Sequence, residues 1–205
     1  MATTVTLTPV TSPDDYTTWA AVKTYLDITG TGDDALGALL VNRVTDAIDR
    51  YCRRRFRAVT ATHTFDVPAS DTLFLDDDLL SVTTLTHGDS ETISASDYVL
   101  LPNNITPKTM IRLRKAGTVG AWQGNSTTGD EQAVSVAGSW GYSSTPPDDI
   151  VQAAVRWTAW LYRQRDGAFG QTARPDIGVI ETPLALPVDI ERLLKPYKRW
   201  RIGAL

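Results

Sequence analysis

A chain of 205 residues, 42% hydrophobic and 21% charged, suffices for one well-cored domain or one domain carrying a sizeable insertion, and this balance excludes disordered and fibrous classes. No apolar run reaches the roughly 18 residues that a membrane-spanning helix requires. The start MATTVTLTPVTSPDD lacks the basic and apolar regions of a secretory signal, which points to a cytoplasmic origin with no membrane partner. A net charge of −4 argues against non-specific nucleic-acid binding by the whole surface, and the single cysteine, Cys52, excludes an internal disulfide or a cysteine-rich metal site.

A first short helix is expected from Pro13–Asp15 to about Leu26, with acidic residues in its first turn and Trp19, Val22 and Leu26 on one face. The stretch Ile28-Thr29-Gly30-Thr31-Gly32 ends it. Asp33 or Asp34 then caps a longer helix in which Leu36, Leu39, Leu40, Val44, Ala47, Ile48, Tyr51 and Cys52 recur every three or four residues. Its opposite face carries Arg43, Asp46, Asp49, Arg50 and Arg53.

From about Thr60 the texture changes to short runs rich in Thr, Val, Leu, Ile and Phe, bounded by turn residues. Strands are expected at 61–67, 72–75, 80–86, 97–101, 109–114 and 132–138, with a long flexible loop from Ala116 to Asp130. Pro146-Pro147-Asp148-Asp149 opens another helix, with Ile150, Ala153, Ala154, Trp157, Trp160 and Leu161 at helical spacing. The glycine- and proline-rich stretch Arg163 to Pro187 reads as an extended or assembly-ordered linker, and a last short helix runs from Val188 to about Lys195 before Pro196.

The expected class is therefore α+β: a small α-helical bundle with an inserted antiparallel β region and an extended C-terminal arm. The bundle takes residues 12–57 and 146–165, the insertion 60–143, and the linker, short helix and docking tail 166–205.

Charge is unevenly placed along the chain. No Lys or Arg lies between Arg57 and Lys108, whereas Asp66, Asp71, Asp76, Asp77, Asp78, Asp89, Glu91 and Asp97 all do. Basic clusters flank this block: Arg50, Arg53, Arg54, Arg55 and Arg57 before it, and Arg192, Lys195, Lys198, Arg199 and Arg201 after it. The first cluster suits either phosphate contacts with DNA or a subunit interface, some of its members being simply solvated. The interface is preferred because the acidic block supplies a complementary surface in the same chain.

Candidates for chemistry are few, and neither an enzyme nor a cofactor is expected. His63 and His87 lack metal-ligand spacing, and Asp76-Asp77-Asp78 reads as a solvated turn rather than a cation site. Gly117, Gly120 and the segment Gly124 to Gly129 lack the ending of a phosphate loop. Trp19, Trp157 and Trp160 occupy core-like helical positions. Trp200 lies instead in a basic aromatic tail whose composition suits docking on a partner.

The order and spacing of several segments resemble the head–tail connector, or adaptor, family of long-tailed bacteriophages and phage-derived gene transfer particles. The segments are Val22-Lys23-Thr24-Tyr25-Leu26, Asp33-Asp34-Ala35-Leu36, Ala47 to Phe56, Leu73-Phe74-Leu75, Leu80-Ser81-Val82, Asp97-Tyr98-Val99-Leu100, Val134 to Gly138 and Pro147 to Ala154. The resemblance implies a homo-oligomeric ring, typically a dodecamer, below the portal protein. Such a ring extends the channel for genomic DNA and presents a surface to a neck or tail-terminator protein. It implies a location at the head–tail interface of the virion, with host cytoplasm as the place of assembly. The acidic middle and basic flanks suit head-to-tail ring contacts, with Arg50, Arg53, Arg54, Arg55, Arg57, Asp76, Asp77 and Asp78 at the subunit interface or channel. Charge reversal at Arg53 and Arg54 is then expected to weaken association more than folding.

C-terminal segments in the family commonly engage the portal, which implies portal docking through Arg192, Lys195, Tyr197, Lys198, Arg199, Trp200, Arg201 and Ile202. The alternative is a DNA-packaging accessory protein that binds duplex DNA through the arginine cluster.

Overall fold

The computed structural model describes residues 12–165 and 186–199, together with the backbone of 171–174 and 178–181. The chain forms two compact units, one from the segments up to Arg53 and from Pro146 onward, the other from Arg54–Thr145. The class is α+β, with four α-helices and a six-stranded antiparallel sheet among the described residues.

In the helical unit, α1 (Trp19–Leu26) begins later than its acidic residues suggest. The Thr18 hydroxyl accepts the Ala21 N–H and caps the helix, while Asp15 bends the preceding turn back on Ser12. Helix α2 (Asp34–Cys52) follows, and α3 (Asp148–Gln164) starts as expected behind Pro147 with two acids in its first turn.

The buried line of α2 is Gly37, Ala38, Val41, Val44, Thr45, Ile48 and Cys52, whereas Leu39 is 37% exposed. Gly37 explains the rotation from the expected face: a Cβ there would sit 2.0 Å from the Trp19 ring, so α1 can lie against α2 only over a glycine. Trp19, Val22, Val41, Ala159 and Tyr162 form one core cluster of this unit, which also buries Val44, Ile48, Ile150, Ile190 and Leu194. Trp157 and Trp160, expected in the core, are only half-buried, because α3 turns Ala153, Ala154, Thr158 and Ala159 inward. Small residues there permit close helix approach.

In the second unit the strands are β1 (Val59–Phe65), β2 (Thr72–His87), β3 (Glu91–Thr92), β4 (Tyr98–Leu101), β5 (Lys108–Leu113) and β6 (Val134–Trp140). Their order is β1-β6-β2-β5-β4, with β3 on the end of β2. Alternate side chains fill one core that includes Leu73, Leu75, Leu79, Leu85, Ile111, Val134, Val136 and Trp140. The two runs expected at 72–75 and 80–86 are one strand. Its first part pairs with β5 and its second with β6, Leu79 pairing with both, and the register shifts between Phe74 and Leu79 on the β5 side and between Leu79 and Ser81 and between Val82 and Thr84 on the β6 side.

The 116–130 segment is pinned to the sheet rather than a free loop. Trp122 is 7% exposed and donates its indole N–H to the Asp71 carbonyl at 3.1 Å. Gln123 donates its backbone N–H to His87 Nδ1, and Ser126 donates to Asp89.

The stretch read as a linker contains paired strands β7 (Gln171–Arg174) and β8 (Gly178–Glu181). Residues 186–199, expected within an extended arm, fold onto the helical unit. Helix α4 (Val188–Leu194) buries Ile190 and Leu194, and a 3-10 turn (Lys195–Tyr197) continues across Pro196.

Candidate assembly surfaces

The five arginines do not act alike. Arg50 and Arg53 are exposed at the end of α2, where Arg53 caps the helix in a left-handed conformation, φ 55°. Arg55 is exposed and Arg57 half-buried in the second unit. Arg54 is turned inward: its Nε lies 3.5 Å from Asp78 Oδ2, and its guanidinium carbon lies 5.0 Å from the centre of the Tyr142 ring. The pair is largely desolvated, with side-chain exposures of 16% for Arg54 and 2% for Asp78. Tyr142 also packs against Phe56, which is fully buried.

This arrangement corrects two expectations. Asp76-Asp77-Asp78 is not a solvated turn, since β2 runs through it and Asp78 is buried. Arg54 and Asp78, expected to meet partners on a neighbouring copy, meet each other inside one chain, because a carboxylate on the core side of a strand requires a cation that arrives with it on folding. Asp76 and Asp77 remain exposed, with Asp77 3.9 Å from His63, itself stacked on Trp140 at a centroid distance of 4.0 Å.

Three of the tail residues are engaged within the subunit. Tyr197 donates its hydroxyl to Asp149 at 3.0 Å, the Lys198 ammonium sits 5.1 Å from the Tyr51 ring centre, and the Arg199 N–H donates to the Cys52 carbonyl at 2.8 Å. Arg192 and Lys195 are exposed. Trp200, Arg201 and Ile202 lie outside the described residues.

Several groups organise the units through partners that the sequence did not reveal, and Asp33 does so without the expected side-chain cap of α2. Asp33, at the start of α2, accepts from the Tyr162 hydroxyl at 2.6 Å and from Arg165 at 2.7 Å, and these bonds hold its carboxyl below the ordinary range. Asp34 is likewise lowered, chiefly by the Lys23 ammonium 2.9 Å away. Asp97, 6% exposed, accepts the Thr118 N–H and hydroxyl and holds the start of β4 to the segment that follows β5. His87 is 1% exposed, and burial pushes its pKa down, opposed by Glu91. A lone tryptophan in a glycine-rich segment was the one signal in the sequence for a pinned loop.

Among the described residues no group of three His, Cys, Asp or Glu is placed to hold a metal ion, and no helix is long and apolar enough to cross a membrane.

The described residues make an α+β protein of two compact units, a helical one and an antiparallel sheet inserted into it in sequence, with some charges paired inside the chain and others exposed. The chain belongs to the head completion protein family, whose profile matches residues 15–200. The connector resemblance drawn from the sequence agrees with this membership.

The fold is shared with solved chains from gene transfer agent (GTA) particles. One, from the neck of an empty GTA particle computed with C6 symmetry, superposes with a TM-score of 0.63 at 15% identity, covering 98% of this chain and 96% of that one. A second, from the virion of a native GTA particle, gives 0.59 at 18% identity over 98% and 95%. A third, from the neck of a native particle computed with C12 symmetry, gives 0.54 at 17% identity over 98% of both chains. No curated protein matches the sequence.

Proposed function

We propose that this protein is a structural, non-enzymatic head–tail connector subunit of a virion or phage-derived particle. Its copies form a ring between the portal and the neck or tail proteins and extend the channel through which DNA passes. The observation that carries the reading is the family membership over residues 15–200, supported by a fold shared nearly end to end with chains of particle necks. The C6 and C12 symmetries used for those necks support a closed ring, for which twelve subunits is the number that the sequence resemblance implies. Arg50, Arg53, Arg55 and Arg57, with Asp76 and Asp77, are the proposed subunit contacts or channel lining, and Arg192 and Lys195 the described candidates for portal docking.

The test is the native mass of the purified protein, alone and mixed with the portal of the same particle. A ring, or a monomer that assembles on portal, is the expected result. A monomer that ignores portal overturns the proposal.

The exposure of Arg50, Arg53 and Arg55 also favours a second reading, a packaging accessory that binds duplex DNA. Strong salt-dependent DNA binding by a monomer indifferent to portal would establish it.

A further inference from the structure

The two edges of the main sheet are treated differently by the sequence. At one edge, β4 has only four residues and is followed at once by Pro102, while the Lys108 ammonium donates to the carbonyls of Pro102 and Asn103. Short length, proline and lysine are the usual means of stopping a sheet from growing. At the other edge, β1 has seven residues, Val-Thr-Ala-Thr-His-Thr-Phe, with no proline, lysine, arginine or bulge. One side of β1 pairs with β6, and no described strand pairs with the other.

The side chains of β1 are also incomplete on both faces. Its inward row, Val59, Ala61, His63 and Phe65, is half-buried, whereas the inward residues of β6 beside it, Val134, Val136 and Trp140, are buried. Its outward row continues rows of small, mostly hydroxyl-bearing side chains across the sheet: Thr60 beside Ser139 and Ser81, Thr62 beside Ala137 and Thr84, and Thr64 beside Ser135 and Thr86. A strand that completes this edge needs apolar residues alternating with threonine or serine, and no charge.

One segment of the chain has that pattern. Residues 3–8, Thr-Thr-Val-Thr-Leu-Thr, alternate Thr4, Thr6 and Thr8 with Val5 and Leu7, and no charged side chain occurs before Asp14. The segment precedes Ser12, the first described residue, and eleven residues reach about 36 Å when extended.

We propose that residues 3–8 of one subunit add as a strand along the free edge of β1 in a second copy. Val5 and Leu7 then cover the half-buried row, and the threonines extend the polar rows. The inference rests on the ring reading and specifies one of its contacts. Each copy gives one arm and receives one, a head-to-tail exchange that a closed ring satisfies at every subunit.

The test uses the full chain carrying Val5→Lys with Leu7→Lys, changes in the arm alone, read by native mass and by backbone amide exchange over residues 59–65. The wild type is expected to slow amide exchange in β1 when it assembles. The variant is expected to keep its melting temperature, lose at least about tenfold in association, equivalent to about 1.4 kcal/mol, and leave those amides fast. Equal assembly by both proteins overturns the arm while leaving the ring reading intact. Amide protection already complete in the monomer, or a dimer that is indifferent to the arm, also overturns it. A wild type that assembles neither alone nor on portal removes the ring reading and the arm together.

Discussion

Replacing Arg54 by Ala removes the guanidinium that stands 3.5 Å from Asp78, a carboxylate only 2% exposed. Solvent cannot take over the lost interaction at that exposure, so the cost is that of breaking a buried pair by deleting one member, about 3–5 kcal/mol. Loss of packing on Tyr142 adds to it. For a unit of this size the melting temperature falls by more than about 10 °C. Arg53→Glu, at the exposed C-cap one residue earlier, is expected to cost about 1 kcal/mol by placing a negative charge at the C-terminal end of α2, and to act mainly on assembly. The two substitutions are compared by thermal unfolding followed by circular dichroism and by native mass on portal. The double variant Arg54→Met with Asp78→Leu recovers most of the stability lost by Arg54→Ala, since an apolar pair needs no desolvated charge. A stability of Arg54→Ala within about 1 kcal/mol of the wild type, or an equal loss of melting temperature in Arg53→Glu, would rule out a buried pair that supports folding. The sequence treated Arg53 and Arg54 as equivalent interface residues; the structure assigns folding to one and leaves the surface to the other.

His87 has its pKa lowered by burial, so the neutral form is the one the fold holds, and its Nδ1 accepts the Gln123 N–H. Its contribution is present above the free histidine value of about 6.5 and is lost as pH falls through the lowered folded value, so the wild type loses melting temperature between pH 7 and 5 more steeply than His87→Gln. Trp122→Ala is expected to cost about 3–5 kcal/mol and to speed amide exchange from Gln123 to Asp130, because the indole fills the sheet core and ties the segment to Asp71. Gly37→Ala forces a Cβ to within 2.0 Å of the Trp19 ring and is expected to cost about 1–3 kcal/mol by chemical denaturation, although alanine favours an isolated helix.

The helices were legible in the sequence because each carries local information: the 3.6-residue recurrence in α2, and the proline and acids before α3. The strand texture of the middle of the chain and its bracketing by helices were equally local, through β-branched residues and turn residues at close spacing. The unlike charge of the middle and the flanks is a property of the sequence alone.

Facing partners depend on residues far apart in the chain, and only the tertiary structure decided them. Periodicity placed Leu39 on the buried face of α2, but the closeness of Trp19 to Gly37 rotated it outward. Three consecutive aspartates read as a turn until Arg54, more than twenty residues earlier, supplied the cation that lets one of them be buried inside a strand. A glycine-rich segment read as flexible until Asp71, His87 and Asp89 accepted its hydrogen bonds. Local propensity decides which backbone conformation a segment adopts. Whether a charge, a tryptophan or a loop is buried depends on the groups the fold brings to it from elsewhere in the chain, because burial is favourable only when desolvation is met by a partner.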